Sequence, residues 1–298
     1  MTYFTIKSAA MSPDDDAPSP DINSLGRLMS HSEVESRGNG YEVLQQAGTV
    51  RILLSRPERG NALSLSLARD LTRLFQTFSA QHSVHRIVLT GKGKYFCSGM
   101  DLGEELYEDA TERCLALQDL FGAIDACPKT TIAVINGPAF GGGVGLAFVC
   151  DIRVAVSTSF FCLSEVKLGL CPATVSRFIV REWGVSLARM AMLTARKIQP
   201  QTLHEMGVLH AVALDEEALE AVTRDVLNDL RFAAPQATAW CKVLTRKTRN
   251  ANSDHDQLAR QIFEAMVVAG SESEYGVAQF RLGNKNICWE QVECRHIG

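Results

Sequence analysis

The sequence predicts an α/β protein built on a parallel sheet, and two observations lead to this prediction. Short β-branched runs such as 130–135 alternate along the chain with longer segments whose apolar residues repeat at helical spacing. Residues 49–90 show the order strand, helix, strand, and a helical crossover is the usual connection between two parallel strands. A chain of 298 residues is long enough for one large domain or two modest ones.

The first elements follow from composition and periodicity. Residues 1–38 are rich in Ser, Pro and Asp without sustained periodicity, which predicts a disordered N-terminal extension. Segments 41–46 and 49–54 alternate around a short glycine-containing turn and predict a β-hairpin. The helix that follows can be capped by Asn61 or Ser64. Its apolar stripe consists of Leu63, Leu67, Leu71, Leu74, Phe75 and Phe78.

The rest of the chain continues the alternation and then becomes mostly helical. Further strands are predicted at 85–90, 130–135, 152–156 and 209–212, with a short one at 160–169 that runs into a loop. Further helices are predicted at 104–126, 174–182, 186–195, 200–206, 215–231, 235–249 and 254–269. The pattern therefore divides the chain into the extension, an α/β core at 39–233 and a helical region at 234–298.

Composition narrows the class of protein. The chain is 46% hydrophobic and 21% charged, as in an ordinary globular protein, and its net charge of −4 offers no attraction for nucleic acid or acidic membranes. Its nine cysteines form no C-x-x-C pair, which favours reduced thiols in a cytosolic protein over disulfides or zinc. No apolar run is long enough for a signal peptide or a membrane span. We therefore expect a cytoplasmic protein without membrane, nucleic-acid or metal partners.

A glycine cluster is the most informative stretch of the chain. The strand at 130–135 leads into Asn136-Gly-Pro-Ala-Phe-Gly-Gly-Gly-Val-Gly145, and an apolar segment of helical length follows. Glycines let the main chain approach a ligand closely, and the first turn of a helix leaves its N–H groups without internal partners. The stretch therefore predicts a site where backbone amides hold a negatively charged oxygen, although tight packing of strand against helix could also explain the glycines.

Three motifs in a fixed order resemble the crotonase (enoyl-CoA hydratase/isomerase) superfamily. They are Leu54-Ser-Arg-Pro-Glu-Arg-Gly-Asn-Ala-Leu63, Phe96-Cys-Ser-Gly-Met-Asp-Leu102 and Asn136-Gly-Pro-Ala-Phe-Gly-Gly-Gly143, the last followed by Cys150-Asp-Ile. The resemblance extends from about residue 40 to the C-terminus. It implies a right-handed spiral of ββα units with a C-terminal helical trimerisation region, and hence a homotrimer or hexamer.

The resemblance also implies a chemistry and a set of site residues. The substrate would be an acyl thioester, linked to coenzyme A or to an acyl carrier protein, with no cofactor beyond the coenzyme A or phosphopantetheine that the substrate carries. The thioester oxygen would accept hydrogen bonds from the backbone N–H groups of Met100 and Gly142. The positions implied to bind the substrate or its coenzyme A are Arg56, Asn61, Ala62, Ser98, Gly99, Asp101, Leu102, Gly141, Phe280 and Lys285. For the arginines, Phe280 and Lys285, ordinary solvation or packing is the competing interpretation.

Proton transfer is where this sequence departs from the resemblance. Hydratases with two carboxylates carry the first glutamate where this chain has Gly145, and Glu165 matches the second. We expect Glu165 to act as general acid/base with a pKa raised by burial, with a solvated loop residue or a partner of Lys167 as the alternatives. The apolar residues expected around it are Phe160, Phe161, Leu163, Val166 and Leu168.

A single glutamate cannot polarise a water molecule from two sides, which narrows the expected reaction. We expect dehydration or hydration of a β-hydroxyacyl group, including branched groups that resemble hydroxymethylglutaryl. Gly145 points toward the dehydratases that install β-branches in polyketide synthesis. Double-bond isomerisation, decarboxylation and a non-catalytic binding role on the same scaffold are the alternatives.

Overall fold

A seven-stranded sheet lies at the centre of the fold. The structure is a computed structural model and describes residues 36–103, 110–247, 254–268, 270–284 and 286–292. The strands are β1 (Ser36–Gly38), β2 (Tyr41–Gln46), β3 (Thr49–Leu54), β4 (Arg86–Gly91), β5 (Thr130–Ile135), β6 (Ala139–Phe140), β7 (Ile152–Val156), β8 (Phe161–Cys162) and β9 (Ala211–Ala213). The sheet order is β1-β2-β3-β4-β5-β7-β9, and β6 pairs separately with β8. The pairings β1–β2 and β2–β3 are antiparallel and the others parallel, which confirms the predicted α/β class.

Helices connect the strands and dominate the C-terminal part. They are α1 (Leu65–Ala80), α2 (Ala110–Ala126), α3 (Gly142–Val149), α4 (Ser176–Thr194), α5 (Pro200–Glu205), α6 (Glu216–Leu230), α7 (Pro235–Lys247), α8 (Asp254–Met266) and α9 (Glu272–Arg281). Ser64 caps α1, because its side chain accepts a hydrogen bond from the Leu67 amide at 3.1 Å. Gly184, with φ 72° and ψ 165°, interrupts α4 and explains why the sequence pattern predicts two helices there.

The central strands separate two apolar cores. All six residues of β4 are buried, as expected for a parallel strand covered on both faces. Ile87 and Leu89 belong to the larger core, which also includes side chains of α1, α2, α3 and α4. Val88 points to the other face and joins the smaller core with Leu219 and Leu227 of α6. This alternation is the two-residue period of a β-strand, and it holds the loops at the strand ends in fixed positions.

Several boundaries differ from the sequence-based prediction. Residues 36–38, assigned to the N-terminal extension, form β1 and pair with β2, whereas residues 1–35 lie outside the described residues. The short strand predicted within 160–169 is β8, and the loop predicted after it contains a 3-10 helix at Glu165–Leu168. Of the helix predicted at 104–126, the part at 104–109 lies outside the described residues, and α2 covers Ala110–Ala126. The helical region from 234 onward contains α7, α8 and α9.

Two expectations drawn from composition concern thiols and membranes. The eight cysteines that the structure describes are all free, and four of them are buried. In the described ranges, no helix combines the length and apolar character needed to cross a membrane.

Candidate active site

Three loops meet at the carboxyl ends of the central strands. Leu63 and Met100 form a parallel bridge, in which the Leu63 amide donates to the Gly99 carbonyl at 2.7 Å and its carbonyl accepts from the Asp101 amide at 3.0 Å. A second bridge joins Cys97 to the start of β6, where the Phe140 amide donates to the Cys97 carbonyl at 3.0 Å. The three motifs that are separate in the sequence therefore form one continuous backbone surface.

Two backbone amides on this surface are positioned to donate hydrogen bonds to a ligand. In the parallel bridge Leu63 bonds to the residues on either side of Met100, so the Met100 N–H points away from Leu63. Gly142 is the first residue of α3 and has no acceptor within its own helix. Neither N–H donates to any atom of the described residues. A Cβ built on Gly142 would lie 3.7 Å from the Met100 nitrogen, so the two amides are close neighbours.

The glycines of the cluster have different reasons to be glycine. A Cβ on Gly143 would lie 2.2 Å from the Cys97 carbonyl oxygen, so Gly143 permits the packing of α3 against the second loop. Gly141 has φ 45°, a left-handed value that disfavours other residues. A Cβ on Gly142 would meet nothing closer than 3.4 Å, so packing alone leaves room for a methyl group there. Packing by itself therefore does not require a glycine at position 142.

The carboxylate of Glu165 lies against Gly141, the residue that precedes the Gly142 amide. A Cβ on Gly141 would be 2.9 Å from its Oε1 atom, and its Oε2 atom is buried without a hydrogen-bond partner in the described structure. Burial raises the pKa of Glu165 above its usual range, which its own backbone N–H offsets only in part. The 3-10 helix that starts at Glu165 turns Val166 and Leu168 outward, where they are 41% and 58% exposed. These two side chains, expected to surround Glu165, are therefore largely exposed to solvent.

The alternative partner for Glu165 was Lys167. No ion pair joins the two residues in the described structure, and Lys167 is exposed on the 3-10 helix. The raised pKa of the carboxyl is the physical consequence, because no positive charge compensates its burial.

Arg56, which the resemblance assigned to coenzyme A binding, and the nearby Arg59 are both held by Asp101. Arg56 Nη2 donates to Asp101 Oδ2 at 2.9 Å and Arg59 Nη2 donates to Oδ1 at 2.7 Å. The side chain of Asp101 is only 3% exposed, and its Oδ1 also accepts from the Gly103 amide. Burial alone would raise its pKa, but the hydrogen bonds from Arg59, Gly103 and Arg56 outweigh burial and lower the pKa. Asp101 thus ties the first loop to the loop that carries the Met100 amide.

The side chain of Asn61 stabilises the first loop through hydrogen bonds to the backbone. It is fully buried with φ 57°, and its side-chain oxygen accepts from the Arg56 amide at 2.9 Å. Its side-chain nitrogen donates to the Lys92 and Tyr95 carbonyls at 3.1 and 2.7 Å. This side chain is fully used inside the protein, so its part in the site is to shape the loop rather than to touch a ligand.

The other proposed site residues are spread more widely. Ala62 is buried and its carbonyl accepts from Arg56, while the Ser98 hydroxyl donates to the Arg59 carbonyl at 3.2 Å. Leu102 is 48% exposed at the edge of the site. Phe280 projects from α9 and is 64% exposed, and Lys285 lies outside the described residues.

Val175 lies beside Gly145 of the glycine cluster, a position that sequence reasoning did not predict. It is 1% exposed, and a Cβ on Gly145 would lie 2.2 Å from its Cγ1 atom. It occupies the N-cap position of α4, where Ser, Thr, Asp or Asn is preferred. The only signal in the sequence was an apolar residue at a helix N-cap. It does not reveal the contact between Val175 and Gly145, which lie thirty residues apart in the chain.

Comparison with known proteins agrees with this geometry. The sequence model of the enoyl-CoA hydratase/isomerase family matches residues 45–291. The chain belongs to this family, and so to the crotonase superfamily, and its parallel sheet with helical connections is the crotonase fold. It is an enzyme of the hydratase-like class.

Particular relatives refine the comparison. Enoyl-CoA hydratase AFT6-1 and enoyl-CoA hydratase AKT6-1 of Alternaria alternata are each 88% identical over 296 residues, 99% of both chains. The mitochondrial Delta(3,5)-Delta(2,4)-dienoyl-CoA isomerase of Mus musculus is 30% identical over 74% of this chain and 73% of its own. Among solved structures, Pseudomonas aeruginosa AtuE aligns with a TM-score of 0.79 and 30% identity, covering 85% of this chain and all of its own.

Proposed function

We propose that the protein catalyses dehydration or hydration of a β-hydroxyacyl or enoyl thioester, with Glu165 as its single acid/base. The observation that carries the proposal is the grouping of the Met100 amide, the Gly142 amide and the Glu165 carboxylate around Gly141. The hydratase names of the two relatives at 88% identity support it.

The two amides would stabilise charge on the thioester oxygen. A thioester carbonyl gains negative charge when a C2 proton leaves, and fixed donors aimed at that oxygen favour the enolate over the ground state. Loss of one such donor typically costs ~10²–10³ in rate. The N-terminus of α3 adds its positive end to the same oxygen.

Glu165 would act first as general base and then as general acid in the elimination. Its carboxylate takes the C2 proton, and the electron pair of that C–H bond forms the enolate. The protonated carboxyl then returns the proton to the C3 hydroxyl as the C3–O bond breaks, which releases water and leaves a C2=C3 double bond. Hydration is the reverse. A raised pKa suits a group that must both accept and release a proton near neutral pH.

Double-bond isomerisation is the second candidate. A single carboxylate can remove a C4 proton and return it to C2, and the 30% identical relative is named a dienoyl-CoA isomerase. The absence of a carboxylate at Gly145 favours reactions of this kind, in which no water needs activation. Gly145 in place of a glutamate also supports a more specific proposal, that the protein is a β-branching dehydratase whose substrate is bound to an acyl carrier protein.

The thioester carrier and the assembly follow as further parts of the proposal. Coenzyme A is the first carrier to test, since both Alternaria relatives are named enoyl-CoA hydratases. Several apolar side chains in or just after α8 and α9 are exposed, which supports a homotrimer or hexamer built through this region. These side chains are Phe263, Val267, Val268, Val277, Phe280 and Leu282.

The test compares Glu165→Gln with the wild-type protein. Absorbance assays with crotonyl-, 3-hydroxybutyryl-, methylglutaconyl- and dienoyl-CoA, and with carrier-protein forms, identify the reaction. We expect the substitution to lower kcat by ~10²–10⁴ while acyl-CoA still binds, because only the acid/base group is lost. Glu217→Gln, which removes an exposed carboxylate from α6, is the matched control. Unchanged turnover in Glu165→Gln would remove Glu165 from the mechanism, and no turnover by the wild type would favour a non-catalytic role.

A further inference from the structure

Gly145 stands where a hydratase with two carboxylates has its first glutamate, and the volume beside it is part of the protein interior. Gly145 belongs to α3, and its amide donates to the Gly141 carbonyl at 3.1 Å. Because Cα–Cβ bonds in a helix tilt toward its N-terminus, a side chain at 145 would extend along the first turn of α3. That is the turn where the Glu165 carboxylate meets Gly141.

This volume is filled by other side chains. A Cβ on Gly145 would lie 2.2 Å from Val175 Cγ1, 2.8 Å from Val175 Cβ and 3.1 Å from Phe121 Cζ. Contacts below 3.0 Å do not occur with real Cβ atoms, so even alanine at 145 requires Val175 to move. The glycine is therefore required by its neighbour, in contrast to Gly122 of α2, where a Cβ would meet nothing within 4 Å.

Val175 has little freedom to move away. Its side chain is 1% exposed, and its carbonyl accepts hydrogen bonds from the Phe178 and Ile179 amides at 3.0 and 3.2 Å, which fixes the start of α4. Phe121 is fully buried and packs on Phe178 with ring centroids 5.9 Å apart. The start of α4 thus holds the Val175 side chain in contact with α3, next to Phe121.

We propose that Val175 is a specificity-determining residue, because its side chain occupies against Gly145 the volume that a second acid/base side chain on α3 would need. The site is thereby restricted to one-carboxylate chemistry, in which Glu165 moves every proton and no second group orients a water molecule. This inference rests on the proposed function, since it concerns the same acyl-thioester site. It assigns the control of reaction type to an apolar side chain that does not itself transfer a proton.

The first experiment tests whether the two residues share one volume. Thermal unfolding is measured for Gly145→Ala, Val175→Gly, the double variant and the matched control Gly122→Ala. We expect Gly145→Ala and Val175→Gly each to have a lower Tm than the wild type. The fall in Tm of the double variant should be clearly smaller than the sum of the two single falls, because removal of the Val175 side chain makes room for the new methyl group. Gly122→Ala should keep or raise Tm. A wild-type Tm in Gly145→Ala, or additive losses in the double variant, would overturn the proposal.

The second experiment tests reaction type and separates it from the proposed function. For each protein, exchange of the C2 protons of butyryl-CoA in D2O reports enolate formation, and crotonyl-CoA reports hydration. In Gly145→Glu combined with Val175→Gly, we expect the ratio of hydration to exchange to rise toward ~10²-fold, the lower range for a positioned acid/base group. Gly145→Ser in the Val175→Gly background places a smaller polar group in the same volume and should shift the ratio in the same direction.

The outcomes separate the role of Val175 from the proposed function of the site. Wild-type exchange that Glu165→Gln does not slow, or no wild-type exchange at all, contradicts the proposed function itself. Wild-type exchange that depends on Glu165, with a hydration-to-exchange ratio unchanged in both double variants, contradicts only the role of Val175. A changed ratio with an unchanged fold cannot come from a merely structural residue.

Discussion

The ion pairs of Asp101 give the sharpest stability prediction. Asp101→Asn keeps the shape of the side chain but removes the charge that Arg56 and Arg59 contact at 2.9 and 2.7 Å. Breaking a buried ion pair typically costs ~3–5 kcal/mol. Arg56 is 20% and Arg59 is 48% exposed, so water compensates part of the loss and most of the remaining cost belongs to Arg56. We expect the free energy of unfolding to fall by about 2–4 kcal/mol at pH 7.

The pH dependence of this loss follows from the lowered pKa of Asp101. A carboxyl group whose pKa is lower in the folded state contributes stability above its unfolded pKa, near 3.8, and loses that stability as the pH falls through the folded value. Urea unfolding of wild type and Asp101→Asn should therefore show a gap that is constant from pH 7 to 5 and narrows toward pH 3.

A surface pair provides the control for the same measurement. Glu42→Gln removes the pair with Lys92, which is 52% exposed, and should cost less than about 1 kcal/mol. A gap for Asp101→Asn that is as small as this control, or that stays constant down to pH 3, would refute the reasoning. Turnover should fall together with stability, because the Met100 amide directly precedes Asp101 in the chain.

The remaining predictions concern the site and the C-terminal helices. At pH values above about 4.5, the ordinary pKa of a glutamate, Glu165→Gln should have a higher Tm than the wild type. The reason is that burial raises the pKa of Glu165, so ionisation of this carboxyl destabilises the folded state. Thermal unfolding of both proteins at pH 8 and pH 4 tests the sign of the difference. Gly142→Ala should keep Tm but lose turnover, whereas Gly143→Ala should lose Tm because its methyl group would overlap the Cys97 carbonyl. Glu272→Ala should cost about 1 kcal/mol and speed amide exchange at the start of α7, whose amides its carboxylate caps at 2.9 Å; unchanged exchange there would contradict the capping role.

Much of this arrangement could be predicted because it is encoded locally. The hairpin of β2 and β3, the apolar stripe of α1 and the break in α4 all depend on residues within a few positions of one another. The amides of Met100 and Gly142 were expected from the motifs that resemble the crotonase superfamily. Glu165 was predicted by its motif position, whereas the 3-10 helix that begins there was not predicted, because the sequence pattern indicates only a loop after the short strand.

Local pattern thus accounts for the class of fold and the order of its elements, and the family resemblance supplied the residues expected at the candidate site. Tertiary packing alone decided how those residues are used. Asp101 pairs with Arg56, which the resemblance had assigned to coenzyme A, and with Arg59, because the fold brings its buried carboxylate between the two guanidinium groups. Val175 fills the volume beside Gly145, because α4 folds back on α3 across thirty residues of chain. Periodicity reports which residues are buried, whereas volume and ion pairing depend on which residues are buried together.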